Sequence, residues 1–118
     1  MKNELEKYVV SIDSLLRDAI ESIKNNKSRC TIVIDKHKKV IGVISEGDVI
    51  SAILKGRNIY SPIKNSININ FKFLKKKNKK EGLKIVKEFG ITLIPIVDKN
   101  FVLKSILSIH DLLPDWNE

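Results

Sequence analysis

Two short segments of this chain carry residue types that could do chemistry. In Ser45-Glu46-Gly47-Asp48 and in Ser108-Ile109-His110-Asp111, a serine ends an apolar run and an aspartate follows three residues later. After a strand, that spacing puts both side chains on the first turn of a helix. There the serine oxygen can accept an N–H of the first turn, which contributes about 1 kcal/mol, and the carboxylate sits in the favourable N-terminal field. The same geometry can do more. A helix start offers unbonded N–H groups and positive potential to a phosphate. The hydroxyl can join them, and the carboxylate can accept both hydroxyls of a ribose. Capping and nucleotide binding are therefore compatible readings of the same residues.

The two segments belong to a longer repeat at a constant offset of 63 residues. Asp35 and Asp98 share that offset and close similar runs, Thr31-Ile32-Val33-Ile34-Asp35 and Leu93-Ile94-Pro95-Ile96-Val97-Asp98. Between the anchors the residue character also matches: Ala19-Ile20 with Gly82-Leu83, Ile23 with Val86, and Val43-Ile44 with Ile106-Leu107. A period of this length means two copies of one supersecondary unit. A unit of that size alone buries only ~60% of its unfolded surface, so the copies are expected to share a core.

Each copy reads as β-α-β-β-α. The first has a strand from Tyr8 to Ile12 and a helix capped by Asp13 or Ser14 that ends near Asn25-Asn26. Strand Cys30 to Ile34, the polar turn Asp35 to Lys39 and strand Val40 to Ile44 form a hairpin. A helix from Glu46 to Leu54 then stops at Gly56. The second copy repeats this with strand Ile69 to Phe73, helix Lys79 to Phe89, and strands Thr92 to Val97 and Phe101 to Leu107. Asn78 with Glu81 resembles a capping box, and a last helix near Ile109 meets Pro114 at once. The boundaries expected are residues 1–58 for the first copy with its entering strand, 59–68 for the linker, 69–113 for the second copy, and 114–118 for the start of a linker to a further C-terminal domain.

Composition narrows the function classes. The 118 residues suit one compact domain, and the hydrophobic and charged fractions of 42% and 31% are those of a globular protein. No apolar run approaches a membrane span, and Met1 to Glu4 leads into no signal-peptide core. The single Cys30 excludes an internal disulfide and fits a reducing cytosol. The net charge of +8 comes with 19 Lys but only 3 Arg, in a chain where Lys, Ile and Asn make 48 residues. Arg does most bidentate reading of bases and phosphates, and aromatics are only 6%, so a nucleic-acid surface is not expected. The run Lys75 to Lys80 reads as a solvated face. His37 and His110 are expected at the surface, no metal-ligand spacing is present, and no nucleophile–base set converges.

A tandem of such units, each with a hydrophobic-Gly-hydrophobic-hydrophobic-Ser/Thr-x-x-Asp segment, resembles a pair of CBS domains, or Bateman module, over residues 8 to 113. The resemblance implies an α/β (α+β) fold with a shared apolar interface between three-stranded sheets. It also implies a regulatory module rather than an enzyme, binding AMP, ADP or ATP and associating as a flat homodimer in the cytoplasm. Carried over, Ser45 and Asp48 serve one site and Ser108 and Asp111 the other. Ile94-Pro95 and Cys30-Thr31-Ile32 flank the base pockets, with Val9-Val10 and Lys72-Phe73 from the entering strands. Ser105 departs from the pattern where the first copy has Gly42, and no proline matches Pro95 in the first copy.

The segment Gly42 to Asp48, followed by Ile53-Leu54-Lys55-Gly56 and Pro62, also resembles the module that precedes sugar-nucleotidyltransferase domains in bacterial surface-glycan enzymes. That implies a transferase domain C-terminal to these residues as the module's target. The rival reading is a ligand-free dimerisation module in which both Ser/Asp pairs are only caps.

Overall fold

The computed structural model describes residues 4–116; Met1 to Asn3 of the expected first unit and Asn117-Glu118 of the expected C-terminal linker lie outside the described residues. The order is a 3-10 turn (Glu4–Tyr8), β1 (Val9–Ser11), α1 (Leu16–Asn26), β2 (Cys30–Ile34), β3 (Val40–Ser45) and α2 (Glu46–Leu54). A second 3-10 turn (Ile63–Ser66) lies in the linker, followed by α3 (Lys79–Phe89), β4 (Leu93–Val97), β5 (Leu103–Ser108) and α4 (Ile109–Leu112). The limits of α1, β2 and β3 recur in α3, β4 and β5 at the same 63-residue offset. Even the irregularities repeat. The hairpins shift register at Val33/Ile34 and at Ile96/Val97. Lys38 and Phe101 both take positive φ at the tips, and Lys27 and Gly90 both take it at the helix ends.

The first copy forms a three-stranded sheet, β1 parallel to β2 and β2 antiparallel to β3. The second forms only the β4–β5 hairpin, so the expected strand over Ile69 to Phe73 is absent. Leu74 alone pairs with Ile96. The physical reason lies upstream. Asn68 is drawn to the other copy, its N–H donating to Val43 O at 2.8 Å while its carbonyl accepts from Val43 N–H at 3.0 Å. Its side-chain oxygen then accepts the Asn70 N–H at 2.9 Å, a local bond that competes with a strand ladder.

Helix starts also differ from expectation in one place. Neither Asp13 nor Ser14 caps α1. Leu15 holds the cap position and its N–H donates to Asp18 Oδ2 at 2.9 Å, while Asp13 pairs with Lys64. Asn78 caps α3 as expected, accepting the Glu81 N–H at 3.1 Å. Pro114 ends α4 after four residues.

The copies share one core. Cys30, Ile32 and Val40 pack with Leu93, Val97 and Ile106 across the interface, and flanking clusters lie under the helices of each copy. The hairpin tips also join, with Val40 N–H donating to Phe101 O and Leu103 N–H to Lys38 O. No described helix is long and apolar enough to cross a membrane.

Candidate functional site

Both Ser/Asp pairs form closed capping boxes. At α2, Asp48 Oδ2 accepts the Ser45 N–H at 2.8 Å and the Ser45 hydroxyl at 3.0 Å, while Ser45 Oγ accepts the Asp48 N–H at 3.2 Å. At α4, the same three bonds join Ser108 and Asp111 at 2.9, 3.2 and 3.3 Å. In each box Oδ1 takes part in none of these bonds, so one carboxylate oxygen remains as an acceptor for a ligand hydroxyl. A parallel pair of backbone bonds locks the boxes onto the hairpins. Glu46 N–H donates to Arg29 O, and Ile109 N–H donates to Thr92 O.

What surrounds the boxes differs. Ser45 and Asp48 open onto a cleft of about 240 Å³ whose walls come from three places. Cys30 and Val43 belong to the first sheet, Asn68, Asn70, Phe71 and Lys72 to the end of the linker and the segment after it, and Phe89 to Leu93 to the α3–β4 turn of the second copy. Apolar side chains dominate two walls, Lys72 supplies a cation, and its ammonium lies 4.2 Å from the Phe89 ring centre. Burial pushes the Cys30 thiol up to about 12, and the nearby Asp48 carboxylate adds to that shift. Cys30 is therefore an inert wall, not a nucleophile.

The related cleft of the second copy has a volume of about 350 Å³ and is lined by Tyr8, Glu4, Lys77, Lys104, Ser105 and Asp111 among others. Ser108 itself is only 1% exposed. The structure thus brings Cys30, Ser45 and Asp48 together in one cleft and puts Asp111 in the other. Val10, Thr31, Ile94 and Pro95 lie in the core. Thr31 bonds there to Ser22 and to Tyr8 O. Phe73 packs against Phe71 and Phe101 in the shared interface. Residue-by-residue reading missed Asn68, Asn70, Phe71 and the 89–93 turn, because each cleft is completed by the opposite copy. The offset held one clue: Phe71 and Tyr8 are 63 apart, and each lines its own cleft.

Residues 4–55 match the family model for the CBS domain. An uncharacterized 17.7 kDa protein of Acidianus ambivalens is 29% identical over 106 residues, covering 89% of this chain and 64% of that protein. An uncharacterized protein of Rickettsia prowazekii is 33% identical over 123 residues, covering 96% of this chain but 35% of its own length. The chain thus spans from about a third to under two thirds of these relatives. Among solved structures, a CBS domain protein from Pyrobaculum aerophilum complexed with AMP superposes with a TM-score of 0.73 at 20% identity, covering 89% of this chain and 82% of that one. A CBS domain pair/ACT domain protein from Thermotoga maritima gives 0.73 at 21% identity, covering 90% and 84%. The first copy is thus matched by the CBS domain model, and the two-copy fold that contains it is that of a CBS domain pair.

Proposed function

We propose that this chain is a cytosolic regulatory module that binds an adenine nucleotide in the Ser45/Asp48 cleft and controls an attached domain. The observation that carries this reading is the cleft's construction. A capped nine-residue helix presents its start, a hydroxyl and a carboxylate at the mouth of an apolar-walled space that also holds Lys72. The nucleoside's phosphate would lie at Ser45 and the α2 N–H groups, its ribose at Asp48 Oδ1, and its base between Val43, Phe71 and Leu93. Two CBS domain proteins of the same fold are known in complex with AMP, which supports the choice of ligand class. Because the walls come from both copies and the linker, a bound ligand favours the arrangement in which all three converge.

The attached domain proposed is a sugar nucleotidyltransferase, on the resemblance of the 42–62 segment. The greater length of the relatives is compatible with an attached domain and does not identify it. Two modules would associate through α1 and α2. An apolar groove lies between these helices at Ile20, Ile23, Val49 and Ile50, and Ile53 and Leu54 are exposed beside it.

That same face, with capping boxes whose hydrogen bonds are made wholly within each box, favours one second reading: a ligand-free dimerisation module. Thermal unfolding with AMP, ADP, ATP and S-adenosylmethionine separates the two. A ligand at about 100 times its dissociation constant adds ~2.7 kcal/mol, which is a shift of several degrees for a domain of this size. The nucleotide reading expects a selective shift that Asp48→Asn abolishes. No shift with any of them would leave the dimerisation module.

A further inference from the structure

The turn between α1 and β2 carries more contacts than a connection needs. Lys27, Ser28 and Arg29 present three successive carbonyls, and each accepts a bond from elsewhere in the fold. His110 Nε2 lies 2.7 Å from Lys27 O, so that ring nitrogen carries the proton and donates. The Thr92 hydroxyl donates to Ser28 O. The Glu46 N–H donates to Arg29 O at 3.0 Å. Two of these donors belong to the second copy, and the third is the first N–H of α2, next to Ser45. The turn is also held in an unfavourable shape. Lys27 and Arg29 take φ of +57° and +60°, a region that residues with a Cβ adopt only where their surroundings hold them. The repeat copies the first of these at Gly90 but not the second at Thr92.

Trp116, the single tryptophan of the chain, closes over this turn. Its ring centre lies 4.8 Å from the Arg29 guanidinium carbon and 5.2 Å from the His110 ring centre, with the two rings tilted by 66°. It also packs on the apolar cluster of Val86, Ile94 and Leu107 in the second copy. The short α4 makes this possible. Pro114 stops that helix, and the Trp116 N–H turns back to Leu113 O at 2.9 Å. In the first copy the matching residue is Ile53, which is still inside α2 and exposed. The contact from Trp116 to Arg29 is thus a crossing between the copies that the repeat does not duplicate.

We infer that residues 113–116 form a latch: Trp116 and His110 clamp the C-terminal segment to the α1–β2 turn, and an anion seated at the start of α2 loosens the clamp. The link is one donor with two claimants. A phosphate at a helix start takes N–H groups of the first turn. Here Ser45 Oγ holds the Asp48 N–H, and Arg29 O holds the Glu46 N–H. An anion that takes the Glu46 N–H displaces Arg29 O, shifts the turn and draws the guanidinium off the Trp116 ring. The segment that leaves the second copy is then released. By linkage, clamp and ligand oppose each other by one and the same factor. A partly exposed cation–π contact sets that factor at about threefold. The inference rests on the nucleotide reading for the anion, and on the three carbonyls and Trp116 for the clamp.

The experiment combines acrylamide quenching of Trp116 fluorescence, isothermal titration with AMP, and amide exchange at Glu46. Arg29→Gln is expected to raise quenching about twofold, and AMP to raise it in the parent chain towards the same level. Trp116→Leu, which keeps the apolar packing but removes the ring, should bind AMP about threefold tighter than the parent. Trp116→Phe should show a smaller gain. Equal quenching in the parent and in Arg29→Gln would overturn the inference. So would AMP binding that leaves the parent's quenching unchanged, or that Trp116→Leu does not tighten. If titration shows no AMP binding, the adenine reading fails on its own and amide exchange decides the latch. Faster exchange of the Glu46 amide in Arg29→Gln, with the matching Ile109 amide unaffected, keeps it. Exchange at the parent rate overturns it.

Discussion

The two copies share the limits of α1, β2 and β3 with α3, β4 and β5, yet only in the first do both members of the Ser/Asp pair line a cleft. The difference starts at one residue. A Cβ on Gly42 would meet the Asn68 carbonyl and the Ile67 side chain, each at 2.5 Å, so only glycine lets the linker cross β3 there and pair with Val43. The matching position in the second copy is Ser105. The segment that would cross it, Glu4–Tyr8, coils as a 3-10 turn instead. The helix that follows differs as well. α2 runs for nine residues, whereas Pro114 stops α4 after four, which leaves Asp111 exposed and Ser108 sealed beneath it. A repeat can therefore copy a capping box faithfully without copying the cleft around it, because the cleft also needs the chain that passes over it.

The sharpest way to break this comparison is to remove each carboxylate in turn. Asp48→Ala is expected to lower AMP affinity at least tenfold and Asp111→Ala to leave it nearly unchanged, as read by isothermal titration. Equal losses would make the copies functionally equivalent. Next comes the crossing itself. Gly42→Ser should destabilise the fold by about 2 kcal/mol in urea unfolding, because the clashing atoms include backbone that cannot rotate away. Ser105→Gly should cost less than about 1 kcal/mol, the backbone-entropy effect alone.

The hairpin tips should respond alike, which sharpens the comparison from the other side. Backbone N–H groups hold both tip carboxylates below the ordinary range, led by Lys39 for Asp35 and by Val102 for Asp98. A depressed carboxylate contributes stability that is complete above its unfolded value near 4 and is lost as pH falls through the folded value. Acid titration of the melting temperature should therefore show a loss below about pH 4 that shrinks by similar amounts in Asp35→Asn and Asp98→Asn. The smallest effect is expected at Cys30. Its thiol, raised from an ordinary 9.0 to about 12, should stay unlabelled by an aromatic disulfide reagent at pH 8 until the chain unfolds. Its counterpart in the second copy is Leu93, which is buried in the same core.

Much of this molecule is determined by local sequence. Strand and helix periodicity placed α2, α3 and β2 where they stand, because their apolar faces and stop signals at Gly56 and Gly90 are contiguous in the chain. The 63-residue offset likewise implied the shared core, since neither copy has enough apolar surface to close one alone. The Ser-x-x-Asp boxes were legible because capping is a four-residue interaction. Other features depend on distant partners and carry no local signature. The strand expected at Ile69 to Phe73 yields to a pairing of Asn68 with the opposite copy. The wall at Phe89 to Leu93 and the approach of Asn65, Ser66 and Asn68 to α2 exist only once the linker is folded back. Sequence periodicity fixes what each copy is made of. Only tertiary structure decides which Ser/Asp pair lines a cleft, because the walls around Ser45 and Asp48 come from segments that meet only once the linker has folded back over β3 at Gly42.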